Sequence, residues 1–119
     1  MTITGIDHVQ VAAPPGCEAE ARAFYAGLLG LAEIPKPPSL AGNGGCWFAA
    51  GAQELHVGVE DPFAPARKAH PSLVTTDLDV LASKLAVAGI AVAYDERIPG
   101  TRRFKTVDPF GNELEFRQA

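Results

Sequence analysis

The feature that most constrains this chain is an echo between two distant stretches. Asp108-Pro109-Phe110-Gly111-Asn112-Glu113-Leu114-Glu115-Phe116 reads as a turn followed by a short strand. Pro109 presets the φ of the turn, and Gly111-Asn112 tolerates positive φ. Leu114 and Phe116 then share one face, and Glu113, Glu115 and Arg117 the other. Gly51-Ala52-Gln53-Glu54-Leu55-His56-Val57 follows the same plan, a turn and then Glu-Leu-polar-apolar. Aligned on Glu-Leu, His56 falls where Glu115 falls.

The rest of the chain fits two copies of one unit. Residues 4–12 alternate, with Val9 and Val11 on one face and His8 and Gln10 on the other, which predicts a strand ended by Pro14-Pro15-Gly16. Ala21, Phe24, Tyr25, Leu28 and Leu29 recur at helical steps over residues 18–29, with Glu18 and Glu20 in the first turn and Gly30 as cap. A brief strand is expected over 31–34. Pro35-Lys36-Pro37-Pro38 then predicts a loop free of helix and central strand, reaching Gly45. Strands over 46–50 and 54–59 complete a β-α-β-β-β order. After a linker at 60–69, the order returns. An extended stretch covers 70–76, then a helix is capped by Asp77 with apolar Leu78, Leu81, Leu85 and Ala88, and closed by Gly89. Strands over 90–94 and 102–107 and the opening stretch finish the second copy. The expected organisation is one domain over 1–119, with a first module at 1–59 and a second at 70–119.

The duplication places the histidines. The chain has three, His8, His56 and His70. His8 and His70 lie on, or at the start of, the first strand of their copies. His56 and Glu115 lie on the last strands, at nearly the same spacing. If the copies are related by a pseudo-twofold, the four side chains converge near its axis. Imidazoles with a carboxylate suit a divalent ion such as Zn, Ni, Fe or Mn. The plainer reading of each histidine is a solvated or hydrogen-bonded side chain on an open sheet face. Glu54 and Glu113 read as partners behind the ligands, as a general base, or as exposed strand ends. Arg102 and Arg103 alternate, so one of them points to the side of the candidate ligands if this strand is central, where it would hold a substrate carboxylate or phosphate; a solvated strand end is the plainer reading. Trp47, Phe48 and Phe104 read as core or as a pocket lining.

Composition narrows the classes. There are 14 acidic and 10 basic side chains with no Lys/Arg run, which argues against nucleic acid or an anionic membrane surface as partner. No apolar stretch reaches membrane-spanning length, and Met1-Thr2-Ile3-Thr4 lacks the look of a signal peptide, so the chain is expected in the cytoplasm. Cys17 and Cys46 form no zinc spacing and read as small, partly buried residues.

These motifs resemble the vicinal oxygen chelate superfamily, which includes glyoxalase I, methylmalonyl-CoA epimerase, extradiol dioxygenases and the fosfomycin- and bleomycin-resistance proteins. The residues that carry the resemblance span the chain: Asp7-His8-Val9; Phe24-Tyr25 with Leu28-Leu29-Gly30-Leu31; Glu54-Leu55-His56-Val57; His70 with Asp77-Leu78-Asp79; and Asp108 through Phe116. The resemblance implies an α+β fold of paired βαβββ modules, forming a cupped, mostly antiparallel sheet with helices on its outer face. It implies a metal held by His8, His56, His70 and Glu115, with Glu115 also the catalytic carboxylate. Leu55, Val57, Leu114, Phe116, Val9 and Val11 would then face the helices. Glyoxalase-like members usually carry Glu or Gln where this chain has His56, and Pro71 removes a strand donor beside His70.

The activity implied is that of a metal-dependent lyase or isomerase acting on a small substrate with vicinal oxygens. A two-His-one-carboxylate oxygenase site of His8, His70 and Glu115 is the second enzyme reading. A metal-free protein that binds an antibiotic-like ligand is the reading from another class. Family members of this size suggest a homodimer.

Overall fold

The computed structural model describes residues 2–119; Met1, where the predicted first module begins, lies outside them. The chain forms two compact units, residues 1–64 and 65–119. Each contains its own four-stranded sheet.

The first unit runs β1 (His8–Ala13), α1 (Glu18–Ala21), β2 (Ala32–Ile34), β3 (Cys46–Ala50) and β4 (Gln53–Val59), with strand order β1-β4-β3-β2. β1 pairs β4 in parallel, and the other pairs are antiparallel. α1 passes directly into a wider π-helical segment, Arg22–Leu28. Here Leu29 N donates to Phe24 O at 2.9 Å. The smaller rotation per residue in such a segment lets the neighbours Phe24 and Tyr25 both turn inward, and both are buried with Ala21. Gly30 follows with φ +77°, the expected stop. The proline-rich loop holds more structure than its composition suggests. Pro38–Asn43 winds into a 3-10 helix with Pro38 at its first position, where a missing N–H costs nothing.

Gly45 ties this loop to the sheet. Its φ is +83°, and a Cβ there would run into the Val57 carbonyl oxygen. Its N–H donates to Glu18 Oε2 at 2.8 Å, so the first turn of α1 is pinned beside β3. That bond, the first cause, and the Cys17 thiol hold the Glu18 carboxyl below its ordinary value. Burial pushes the Cys17 thiol up to about 11.

The second unit runs β5 (Ser72–Thr75), α2 (Leu78–Val87), β6 (Ala93–Tyr94), β7 (Arg103–Val107) and β8 (Glu113–Gln118), in the order β5-β8-β7-β6. Its pairing repeats that of the first, with β5 parallel to β8 and the rest antiparallel. Asp77 caps α2 by accepting from Val80 N at 3.2 Å. The Asp108 carboxylate accepts from Phe110 N and Asn112 N, both at 2.9 Å, which fixes the turn before β8.

The expected apolar faces hold in most positions. Leu55, Val57, Leu114, Phe116 and Val11 are buried, with Leu78 and Leu85 of α2. Val9 is exposed, as are its neighbours His8 and Gln10 in the first half of β1. Leu81 is only partly buried, Ala82 takes its place in the apolar stripe, and Ala88 is exposed past the end of α2; Leu28 and Leu29 are half-buried. Phe48 and Phe104 are fully buried core. Cys17 and Cys46 are buried free thiols. Among the described residues, no helix is long and apolar enough to cross a membrane.

Candidate functional site

In the first unit, the polar face of the sheet carries a stack of three rings. β3 and β4 form a hairpin whose register pairs Trp47 with His56. The Trp47 and His56 rings lie parallel, with centroids 3.8 Å apart and 2° between their planes. β1 places His8 beside Glu54, so its ring reaches diagonally across and covers the other face of His56, at 4.1 Å and 17°. His56 is the filling of this sandwich and is 3% exposed. Its Nε2–H donates to Glu54 Oε1 at 2.8 Å. His8 Nδ1–H donates to Asp7 Oδ2 at 2.9 Å. A carboxylate only accepts, so each bond places a proton on the named ring nitrogen.

In the second unit, the polar face is a network of charges. Glu115 is buried and both its oxygens are engaged: Ser72 Oγ donates to Oε2 at 2.7 Å and Arg103 Nη1 to Oε1 at 2.6 Å. Arg103 Nη2 also lies 3.1 Å from Asp95 Oδ2. Burial pushes the Glu115 carboxyl up, but the Ser72 hydroxyl and the Arg103 guanidinium outweigh it and hold the group below its ordinary value. Arg97, with Arg103, holds Asp95 far below the usual carboxylate range. Alternation sends Arg102 to the opposite face, where it grips Asp79 of α2 through two bonds at 2.8 and 3.0 Å.

His70 stands two residues before β5 and is not part of the strand. Pro71 next to it lacks an N–H, so the ladder starts later; the Pro71 carbonyl still accepts from Glu115 N at 3.0 Å. His70 Nδ1–H donates to Lys68 O at 2.9 Å, and Glu113 Oε1 lies 3.7 Å away. Glu113 also meets Lys105 at 3.2 Å.

The four expected ligands are thus divided two and two. His8 and His56 are neighbours in the first unit, and His70 and Glu115 lie on adjoining chain segments of the second. Their suitability for a metal differs. His8 and His70 have the usual arrangement of a ligand histidine, with Nδ1 anchored and, among the described residues, no hydrogen bond at Nε2. His56 and Glu115 do not fit as arranged. The lone pairs of stacked rings lie in nearly parallel planes about 4 Å apart, and cannot both aim at an ion roughly 2.0–2.1 Å from each nitrogen. Glu115 accepts one bond on each oxygen, from Ser72 and from Arg103, and the Arg103 guanidinium beside it repels an approaching cation. Within each unit, among the described residues, no three His, Cys, Asp or Glu side chains gather as a metal cluster.

One of these features was open to hairpin arithmetic. A turn that pairs Ala50 with Gln53 must pair Trp47 with His56. The side chosen by Arg103 over Arg102 follows only from the register of β7 on β8, in which Lys105 faces Glu115.

Structural comparison shows what family this architecture belongs to. A glyoxalase family protein from Bacillus anthracis is 52% identical, superposes with a TM-score of 0.96, and is matched over 99% of this chain and 97% of its own. The chain belongs to the glyoxalase family, within the vicinal oxygen chelate superfamily. The fold is also similar to lactoylglutathione lyase from Agrobacterium tumefaciens, at 21% identity, TM-score 0.77 and coverage of 100% and 96%. It is equally similar to TnmS3, an antibiotic binding protein from a Streptomyces species, at 23% identity, TM-score 0.78 and coverage of 99% and 98%. These last two share the fold. No protein-family model matches the sequence, and no curated protein sequence matches it.

Proposed function

We propose that this glyoxalase-family chain binds a small molecule without a resident metal. The observation that supports this is the Arg103–Glu115–Ser72 network, which already pairs a cation with the one carboxylate expected to ligate an ion. Arg103 supplies there the positive charge that an ion would otherwise supply. What remains on the polar faces suits a ligand held by flat rings and hydrogen bonds, as a binding protein or as a metal-independent enzyme. Similarity in fold to TnmS3 makes the binding reading concrete, although similarity in fold to lactoylglutathione lyase serves an enzyme equally well.

Arg103→Met tests this reading. With the guanidinium gone, Glu115 is free to ligate. Zinc, nickel and manganese titrated by calorimetry should bind the variant at least tenfold more tightly than the native chain. Equal affinities, with native binding abolished by Glu115→Gln, would refute it.

A second reading has its own support. His8 and His70 each have Nδ1 anchored, at 2.9 Å in both cases. On that reading the chain is a metal-dependent lyase or isomerase. His8, His56, His70 and Glu115 would be its ligands, and Arg103 would have to leave Glu115 first.

A further inference from the structure

We infer that the His8–His56–Trp47 stack is a platform for a planar, cationic heteroaromatic ligand, seated on the outer face of His8. The inference rests on the small-molecule reading above and names the ligand class.

The stack is built and not accidental. Three adjacent strands, β1, β4 and β3, each contribute one ring to it. Glu54 fixes the rotation of the middle ring and Asp7 that of the outer one, at 2.8 and 2.9 Å. Gly58, facing Gln10, keeps the neighbouring position open: a Cβ there would meet Gln10 Nε2 at 2.6 Å. The Gln10 amide therefore lies flat across the strand pair next to the rings. The two ends of the stack differ. His56 is enclosed, but the His8 side chain is 43% exposed. One of its faces is covered by His56, so the exposure falls on the opposite face and the ring edge. A further flat ring can extend the stack there, gaining the dispersion and quadrupole attraction of offset aromatic pairs.

Charge decides which flat ring. Both anchoring groups, Asp7 and Glu54, are carboxylates beside the stack, 90% and 40% exposed. The whole first unit leans the same way. Residues 1–64 hold seven acidic side chains and two basic ones, a net charge of −5 out of −4 for the chain. Its two cations are committed elsewhere, Arg22 to Glu33 and Lys36 to the Gly44 carbonyl. A planar cation is therefore drawn to this face and an anion is repelled. Ring N–H groups on such a ligand would find an acceptor in the exposed Asp7 carboxylate. The lone tryptophan of the chain is the far ring of the stack, so binding has a built-in reporter.

Proflavine, a planar tricyclic cation, is the probe. Calorimetry should show one site per chain, and the His8 ring-proton resonances should move upfield under the ring current. His8→Ala should weaken binding at least tenfold, and His8→Phe, which keeps a flat ring, should restore most of it. Anthraquinone-2-sulfonate, equally flat but anionic, should bind at least tenfold more weakly than proflavine. The inference is overturned if proflavine fails to bind. It is overturned also if His8→Ala binds proflavine like the native chain, or if the anionic probe binds equally well. These outcomes are separate from the metal titrations of Arg103→Met, which probe the second unit. A metal found on Glu115 would sink the metal-free reading and leave the stacking result standing.

Discussion

Replacing Gly45 by Ala should cost far more stability than replacing any other loop glycine of the first unit. Two effects add. An L-residue at φ +83° carries left-handed strain of roughly 1–2 kcal/mol. The new Cβ also collides with the Val57 carbonyl oxygen, which is backbone and cannot rotate away. β3 must then separate from β4 at the Cys46–Val57 pair, and the Gly45 N–H must leave the Glu18 carboxylate. Losing one ladder bond costs about 0.5–1.5 kcal/mol, and a bond to a charged group about 1.5–3 kcal/mol. The sum is about 3–6 kcal/mol, a large part of the roughly 5–15 kcal/mol that holds a domain. Gly51→Ala is the control. Its φ is +62° and nothing lies within 4 Å of the new Cβ, so it should lose only the strain, about 1–2 kcal/mol. Urea unfolding followed by Trp47 fluorescence measures both. With a slope of about 2 kcal/mol/M the Gly45 variant should unfold roughly 1–2 M earlier than the Gly51 variant. Midpoints that coincide would refute the collision argument.

Other consequences can be measured on the same preparations. Phe116 is 4% exposed and packs on Phe104 with ring centroids 5.3 Å apart; Phe116→Ala should lose about 3–5 kcal/mol, and unchanged stability would mean that the facing of β8 is wrong. Glu18 has a folded-state value below its ordinary 4.5, set first by the Gly45 N–H. Its contribution is therefore complete above pH 4.5 and drains away as the pH falls through the lower folded value. Glu18→Gln should flatten the decline in melting temperature between pH 5 and pH 3, and an unaltered decline would remove Glu18 as a source of acid sensitivity.

Much of this architecture was legible because strand parity and turn chemistry are local. The Asp108–Glu115 stretch reads correctly as turn and strand since Asp108 needs only residues two and four positions on to satisfy its carboxylate. The β3–β4 hairpin likewise follows from one turn. What the sequence concealed depends on long-range register. Residues 90–94 look like a full strand, yet only Ala93 and Tyr94 pair, because β6 meets β7 at Lys105 and Phe104 alone. The helical period over residues 18–29 is real, but its widening after Ala21 comes from burying adjacent Phe24 and Tyr25. The candidate site shows the same division. His8, His56, His70 and Glu115 stand out by residue type and spacing. Their engagement, by ring stacking in one unit and by Arg103 and Ser72 in the other, arises from strand pairs that a one-residue slip would change.

Element analysis of the purified, tag-free native chain tests the central claim most directly. If Arg103 stands in for an ion at Glu115, protein dialysed against zinc, nickel and manganese and then desalted should carry far less than one ion per chain. One ion per chain, lost in Glu115→Gln and kept in Arg103→Met, would contradict the metal-free reading and return the site to metal chemistry.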